Sequence, residues 1–334
     1  MKHAVLIAAL LFGACSFDRS GVGNGDDDQA DDDGPRPDAE PPGPPDARRP
    51  DAAPPDAEPP DAEPDFDLDD DGVLDIDDNC VAADNVDQHD EDSDGVGDVC
   101  DNCPHLGNTG QEDTTEVESG STADGVGDLC DPGKDTRERI ALFEPFSGDS
   151  VPTTWTTVGG TWNVANDALH QTSLVSTSAT AFYNAESADW DNLTLHTFMT
   201  VDGFAPDGAG SDVRSFGPMV FYAPGAGPGN GYQCMLRDDV SNGENTALQI
   251  AKITDAGGSA ALTGGDDVGS DLAANQSFFG ATSATPGSIG CFAFTLQLFT
   301  QTSSDTSYTE GSVGLRTNRA QVSFRYVVVF SPTL

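Results

Sequence analysis

Val322–Phe330 reads VSFRYVVVF, a run in which apolar and polar side chains alternate at its start and β-branched residues dominate its end. Alternation with a period of two places one set of side chains on each side of an extended chain, and valine and aromatic residues favour that conformation. The same texture recurs upstream in TWNVANDALHQ (161–171), LTLHTFMTV (193–201), MVFY (219–222), YQCMLR (232–237), ALQIAKIT (247–254) and FAFTLQLFT (292–300). Turn residues separate these runs, and no helical pattern appears after Ile140. The spacing predicts an antiparallel β-sandwich over 141–334, and about 190 residues suffice for one two-sheet core.

Ahead of the sandwich the composition changes. The chain has 58 Asp plus Glu against 14 Lys plus Arg, a formal net charge of −44, and forty of those acids precede Ile140. Such a balance argues against nucleic acid as a partner, since phosphate binding needs clustered basic side chains. The segment DLDDDGVLDIDDNC (67–80) sets seven carboxylates among its first twelve residues, with no Lys or Arg beside them. Carboxylates about 4 Å apart repel by roughly 1 kcal/mol per pair in water and by more at a protein surface. A fixed shape therefore requires something positive.

The spacing says what. Counted from Asp67, carboxylates occupy positions 1, 3, 5, 9 and 12 of a loop (Asp67, Asp69, Asp71, Asp75, Asp78), with Gly72 at position 6 and the carbonyl of Val73 available at position 7. Twelve-residue calcium loops use those positions, and a donor set of oxygen alone suits Ca2+ over softer metals. DEDSDGVGDVCD repeats the pattern with Asp90, Asp92, Asp94, Gly95, Val96, Asp98 and Asp101. A third copy keeps Asp124, Asp128 and Asp131, but TTEVESGSTA (114–123) intervenes, so Gly120 and Thr122 fall at positions 1 and 3. Asp113, Glu116 or Glu118 could fold in to complete that set. No amphipathic helices flank the loops, and Asp stands at position 12 where an EF-hand has Glu. His89 and His105 read as solvent-facing.

DNCV (78–81), NVDQHDEDSDGVGDVCDNCP (85–104), NTGQED (108–113) and ADGVGDLCD (123–131) together resemble the thrombospondin type 3 repeat, across residues 65–132. That resemblance implies a segment without regular secondary structure, ordered by Ca2+ and by disulfides Cys80–Cys100 and Cys103–Cys130. Small segments without a core depend on such cross-links. The front (FEPFSGDSVPTTWTTVGGTWNVANDALHQ, 143–171), middle (GYQCML, 231–236) and end (EGSVGLRTNRAQVSFRYVVVF, 310–330) of the sandwich resemble the laminin-G-like or concanavalin-like jelly roll. In such folds the first and last strands lie side by side. Cys234 and Cys291, each inside a strand pattern, are expected to form a bridge rather than two buried free thiols.

The N-terminus supplies an address. MKHAVLIAALLFGAC carries Lys2 and His3, an apolar run from Ala4 to Phe12, and Gly13-Ala14 before Cys15. This reads as a secretory signal (1–14), too short for a permanent membrane span. Its end resembles a bacterial lipobox, with Phe12 where leucine is usual. Lipid on Cys15 would anchor the exported chain to a membrane, at the outer membrane or cell surface; the alternative is an ordinary signal peptide. Cys15 is also the odd one among seven cysteines. Residues 15–64, with PPDAEPPDAEP (54–64), read as a disordered tether, and the charged stretch PGKDTRER (132–139) marks a hinge, bounded as 133–140, before the sandwich.

No catalytic motif emerges. Glycan-cleaving sandwiches use paired carboxylates, and Glu144, Glu186, Glu244 and Glu310 are scattered along the domain. Trp162 reads as core; Trp155 and Trp190, in less regular segments, are candidates for a ligand face. The reading is a calcium-binding surface lipoprotein whose sandwich head binds a glycan or an extracellular protein. The alternatives are an anchored glycan hydrolase and a passive calcium-stiffened spacer.

Overall fold

In the computed structural model the chain is described over residues 66–333, apart from 115–119, 121, 134–135, 175–177, 185–189, 207–212, 224–228, 240–245, 256–257, 270 and 296. Phe66–Leu334 forms one unit. Its strands, among the described residues, are β1 (Glu138–Glu144), β2 (Trp155–Val158), β3 (Trp162–Val164), β4 (Leu169–Gln171), β5 (Ala179–Tyr183), β6 (Leu193–Phe204), β7 (Val213–Ala223), β8 (Asn230–Asp239), β9 (Ala247–Ile253), β10 (Ser259–Ala261), β11 (Asp266–Asp267), β12 (Ser277–Thr285), β13 (Ser288–Phe294), β14 (Leu298–Ser303), β15 (Ser312–Asn318) and β16 (Ala320–Pro332). They build two antiparallel sheets. One runs β14-β13-β12-β6-β16-β4-β3, with β1 also on β16; the other runs β10-β9-β8-β7-β15-β5-β2, with β11 on β9. The protein is a two-sheet β-sandwich.

β16 organises the first sheet. β6 lines one of its edges, while the other is shared by β4, against Val322–Phe324, and β1, against Val327–Pro332. First and last strands thus lie together, as the jelly-roll resemblance implies. β1 begins at Glu138, inside the segment read as a hinge, because Glu138, Arg139 and Ile140 already pair with Pro332, Ser331 and Phe330.

The register of β16 against β6 shifts between Phe324 and Val327. An irregularity of this kind exchanges the two faces of a strand. Val322 and Phe324 enter the core between the sheets before the shift, and Val327 and Val329 enter it afterwards. Tyr326, Val328 and Phe330 then face the other way, into a second buried cluster with Cys103, Val126 and Cys130, against which Leu106, Leu129, Ile140, Phe143 and Phe198 pack. The sequence stops alternating here because both faces of the strand are covered.

The covering layer is the aspartate-rich segment itself. Among the described residues, 66–137 contains turns and bends and no strand or helix. It holds two disulfides, Cys80–Cys100 and Cys103–Cys130, and a third, Cys234–Cys291, joins β8 to β13. The segment is seated on the outer face of the sandwich, with apolar side chains of its last part completing a shared core.

Candidate metal centres

The three loops repeat one wiring diagram. In the first, Gly72 N–H donates to Asp67 Oδ2 (3.0 Å), Val73 N–H to Asp71 Oδ1 (2.7 Å), Leu68 N–H to Asp75 Oδ1 (2.8 Å) and Cys80 N–H to Asp78 Oδ1 (2.8 Å). In the second, Gly95 donates to Asp90 Oδ2 (2.9 Å), Val96 to Asp94 Oδ1 (2.9 Å), Glu91 to Asp98 Oδ1 (2.9 Å) and Cys103 to Asp101 Oδ1 (2.8 Å). Each loop turns at its glycine, Gly72 at φ 97° and Gly95 at φ 95°, a region where a Cβ is unfavourable.

The loops are also chained to one another. The second oxygen of Asp71 accepts from Asn85 N–H (2.9 Å), fourteen residues on, and that of Asp94 accepts from Asn108 N–H (2.5 Å). Amide side chains finish each junction. Gln88 Nε2 donates to Asp78 Oδ1 (2.9 Å), and Gln111 Nε2 donates to Asp101 Oδ1 (2.7 Å).

The third loop follows the same diagram despite its insertion. Gly125 N–H donates to Asp113 Oδ2 (2.8 Å), Val126 N–H to Asp124 Oδ1 (2.9 Å), Thr114 N–H to Asp128 Oδ1 (2.7 Å) and Gly133 N–H to Asp131 Oδ1 (2.8 Å). Gly125 has φ 95°. Asp113 therefore stands where Asp67 and Asp90 stand in the other loops, and Gly120 does not take position 1. Glu116 and Glu118 lie outside the described residues. In place of Asn85 and Asn108, Glu138 N–H at the start of β1 donates to Asp124 Oδ2 (2.6 Å).

Several carboxylate oxygens have no such donor. Asp67 Oδ1, Asp69 Oδ2, Asp92 Oδ2 and Asp113 Oδ1 are buried without a hydrogen-bond partner among the described residues. Oxygens of Asp67, Asp69 and Asp71 lie within 4.8 Å of one another, as do those of Asp90, Asp92 and Asp94. Burial, followed by the charges of Asp101 and Asp94, pushes the Asp92 carboxyl up to about 7. Burial raises Asp98 and Asp101 as well. Concentrated anions that are desolvated and incompletely hydrogen-bonded are what a hard cation relieves. Val73 and Val96 occupy position 7, where twelve-residue calcium loops use a backbone carbonyl. Cys103, His105 and Cys130 also approach one another, but both cysteines are committed to their disulfide.

Two polar contacts tie this layer to the sheet beneath it. Glu91, in the second loop, meets Arg325 of β16. His105, expected at the surface, is buried at 5% exposure, and its Nε2 lies 3.1 Å from Nδ1 of the equally buried His196 on β6. The rings of Tyr326 and Phe330 pack on His105, and those of Phe279 and Phe330 on His196. Sequence gave no sign of this pairing, because the two histidines are ninety-one residues apart and the covering layer has no period of its own. His89 sits 2.6 Å from Asp98.

The tryptophans are arranged otherwise than expected. Trp155 and Trp190 are 4% and 9% exposed and belong to the core between the sheets. Trp155 packs edge-on against Phe146 and Tyr183, and Trp190 stacks on Tyr183 while its backbone bridges to Gly311. Neither offers a ring to a ligand. Irregular sequence around them reflects short strand ends, not exposure. Trp162, read as core, is half-buried on Phe324 and donates through Nε1 to Gly159 O (2.9 Å).

No protein-family model matches the chain, and no curated protein does. Solved structures align with part of it. It is similar to the carbohydrate binding module CBM66 from Bacillus subtilis at 19% identity and TM-score 0.41, over 54% of this chain and 96% of that one. It is similar to the Lotus tetragonolobus seed lectin at 11% and 0.40, over 55% and 96%. The xylan β-1,4-xylosidase from Bacillus halodurans aligns at 14% and 0.36, over 56% of this chain and 38% of that one.

One cluster has the composition of a hydrolytic triad. Ser323 Oγ lies 2.8 Å from His170 Nδ1 and also contacts Asp202 Oδ2. The geometry is wrong for charge-relay chemistry: serine and aspartate share one ring nitrogen, while Nε2 is turned to the Ala165 carbonyl at 2.8 Å. Of the four glutamates, Glu144 accepts from Phe146 N–H (3.0 Å) and burial raises its pKa; Glu186 and Glu244 lie outside the described residues.

Proposed function

We propose that the chain is a calcium-stabilised binding protein, exported and held at a membrane surface by lipid on Cys15, which lies outside the described residues along with the 15–64 tether. Ca2+ enters the three loops. Asp67, Asp69, Asp71, Asp75 and Asp78 hold one ion with the Val73 carbonyl, and Asp90, Asp92, Asp94, Asp98 and Asp101 hold another with the Val96 carbonyl. Asp113, Asp124, Asp128 and Asp131 hold the third. The observation that carries this reading is the buried oxygens of Asp67, Asp69, Asp92 and Asp113 that have no hydrogen-bond partner among the described residues, each in a loop where neighbouring carboxylates accept backbone N–H groups. Calcium acts structurally, neutralising a segment that has little interior of its own.

The sandwich is the binding head, and its ligand class is a glycan or an extracellular protein. Calorimetric titration of the disulfide-intact chain with Ca2+ tests the metal assignment. Saturable uptake that falls when Asp94 becomes Ala supports it, and uptake indifferent to that change refutes it. Retention of the chain on a glycan array without release of reducing ends tests the head.

A further inference from the structure

The first aspartate loop carries exposed apolar side chains at positions through which the second and third loops meet the sandwich. The equivalence of these positions follows from one shared pair of hydrogen bonds. Asp75 N–H donates to the Phe66 carbonyl (2.8 Å), Asp98 N–H to that of His89 (2.9 Å) and Asp128 N–H to that of Glu112 (2.8 Å). The carboxylates of Asp75, Asp98 and Asp128 in turn accept the N–H groups of Leu68, Glu91 and Thr114. Leu68 therefore matches Glu91, and Ile76, one residue after Asp75, matches Val99 and Leu129.

In the later loops these positions are contacts. Glu91 is held by Arg325 of β16, and Leu129 packs on the cluster that contains Tyr326 and Phe330; Val99, between them, is 62% exposed. In the first loop Leu68 is 63% exposed and Ile76 88%, and Phe66, bonded through its carbonyl to Asp75, is 64% exposed. Single apolar residues at a surface need no explanation, but three large ones on one loop closure form a face that lacks the cover its counterparts have. Val81 and Val86, just beyond, are exposed as well. Charge limits what can cover them. Asp70, Asp77, Asp84 and Asp87 stand among these residues, exposed and outside the set of loop ligands, and no Lys or Arg occurs between Phe66 and Asp131. Residues 16–64 offer little, since their large apolar side chains are Phe17 and Val22 alone and they carry fifteen acids against four arginines. A second copy is repelled: the formal net charge is −44, and Ca2+ in three loops would bring only six positive charges. Apolar side chains set among acids suit a surface of opposite charge.

We propose that the first loop docks a basic protein segment bearing apolar side chains, its Lys or Arg pairing with Asp70 and Asp77 while its apolar side chains cover Phe66, Leu68 and Ile76. This surface belongs to the aspartate-rich layer and not to the sandwich head.

The test uses the full chain at saturating Ca2+ and short fluorescent peptides of equal length, one alternating Lys with Leu, one alternating Lys with Ser and one alternating Glu with Leu. The Lys–Leu peptide binds about tenfold more tightly than the Lys–Ser peptide, and the Glu–Leu peptide does not bind. Leu68→Ser combined with Ile76→Ser reduces the preference for leucine to about twofold or less, with melting temperature and calcium uptake unchanged because both side chains are exposed. Leu298→Ser, at an exposed apolar residue of the sandwich, leaves the preference intact. Should the double variant take up less calcium, hydrogen exchange on the unaltered chain decides: the Lys–Leu peptide protects amides of Phe66–Asp78 and not those of β14. Equal affinity for the Lys–Leu and Lys–Ser peptides, which marks general attraction to a polyanion, overturns the proposal, as does a preference that survives the double variant or protection confined to the sandwich. Self-association in sedimentation velocity, or flotation with phosphatidylcholine vesicles, that disappears in the double variant overturns it too, by naming a second copy or a lipid surface as the occupant.

Discussion

Glu91 Oε1 lies 2.5 Å from Arg325 Nε, and Arg325 Nη2 donates to the Glu91 carbonyl oxygen at 2.8 Å, so one side chain of β16 grips the second aspartate loop at two points. The Glu91 side chain is 2% exposed and that of Arg325 is 53% exposed. Burial pushes the Glu91 carboxyl up to about 7, against the opposing pull of Arg325. Replacing Arg325 with Met keeps the stem and removes the charge. A fully buried pair would lose about 3–5 kcal/mol, but solvent around Arg325 weakens this one, and a loss of about 1–3 kcal/mol is expected. Denaturant unfolding at pH 7.5 measures it; an unchanged midpoint would show that the contact does not fasten the layer.

Asp113 makes a sharper test of the third loop than Asp124 does. By sequence distance it is remote, yet it receives the Gly125 amide as Asp67 receives that of Gly72. Asp113→Ala is expected to lower calcium uptake by about one site's share, with the first two loops unaffected, because metal sites depend on each first-contact oxygen. Equilibrium dialysis with radioactive calcium counts the ions. Full stoichiometry in the variant would mean that the third loop does not use this residue.

The His105–His196 pair predicts a pH dependence. Burial drives both imidazoles down, His196 to about 4 and His105 well below its ordinary value, the charge of His196 adding to the effect on His105. Unfolded histidine titrates near 6.5, so below that pH the unfolded chain binds protons that the folded chain refuses. Stability from His196 is complete above about pH 6.5 and is lost as pH falls toward 4, by on the order of 3 kcal/mol in the limit. Carboxylates titrate in the same range. The informative quantity is therefore the difference between wild type and His196→Leu: the variant's stability should fall less steeply between pH 6.5 and 4.5. Parallel curves would contradict the assignment.

Phe330 is 1% exposed in the core shared by sheet and loops. Phe330→Ala should cost about 3–5 kcal/mol, and it should lower protection of amides around Val126 and Cys130 together with those of β16. Hydrogen exchange reads both. Loss confined to β16 would indicate that the layers open independently.

The sandwich was legible in the sequence because alternation is a local signal that burial on one side imposes residue by residue. The loops were legible for a related reason: each ligand offset is fixed by one turn of chain around one point. What sequence could not convey was the docking between them. Phe330 and Val328 look like ordinary strand residues, His105 like a surface residue, and only the contact with β16 and β6 gives them their role. The insertion at 114–123 hid Asp113 for a similar reason, since counting back from Asp131 presumes an unbroken loop. Irregular local sequence does not mark Trp155 and Trp190 as exposed, because the buried ends of β2 and the bridge to Gly311 need no alternation.

Whether cations give the aspartate-rich layer its form is decided most directly by amide hydrogen exchange on the disulfide-intact chain, with and without a calcium chelator. Removal of calcium should collapse protection across Asp67–Asp131, at the amides of Gly72, Gly95 and Gly125 above all, while the β7–β8–β9 strands keep theirs. Protection in the loops that is identical with and without chelator would contradict the account.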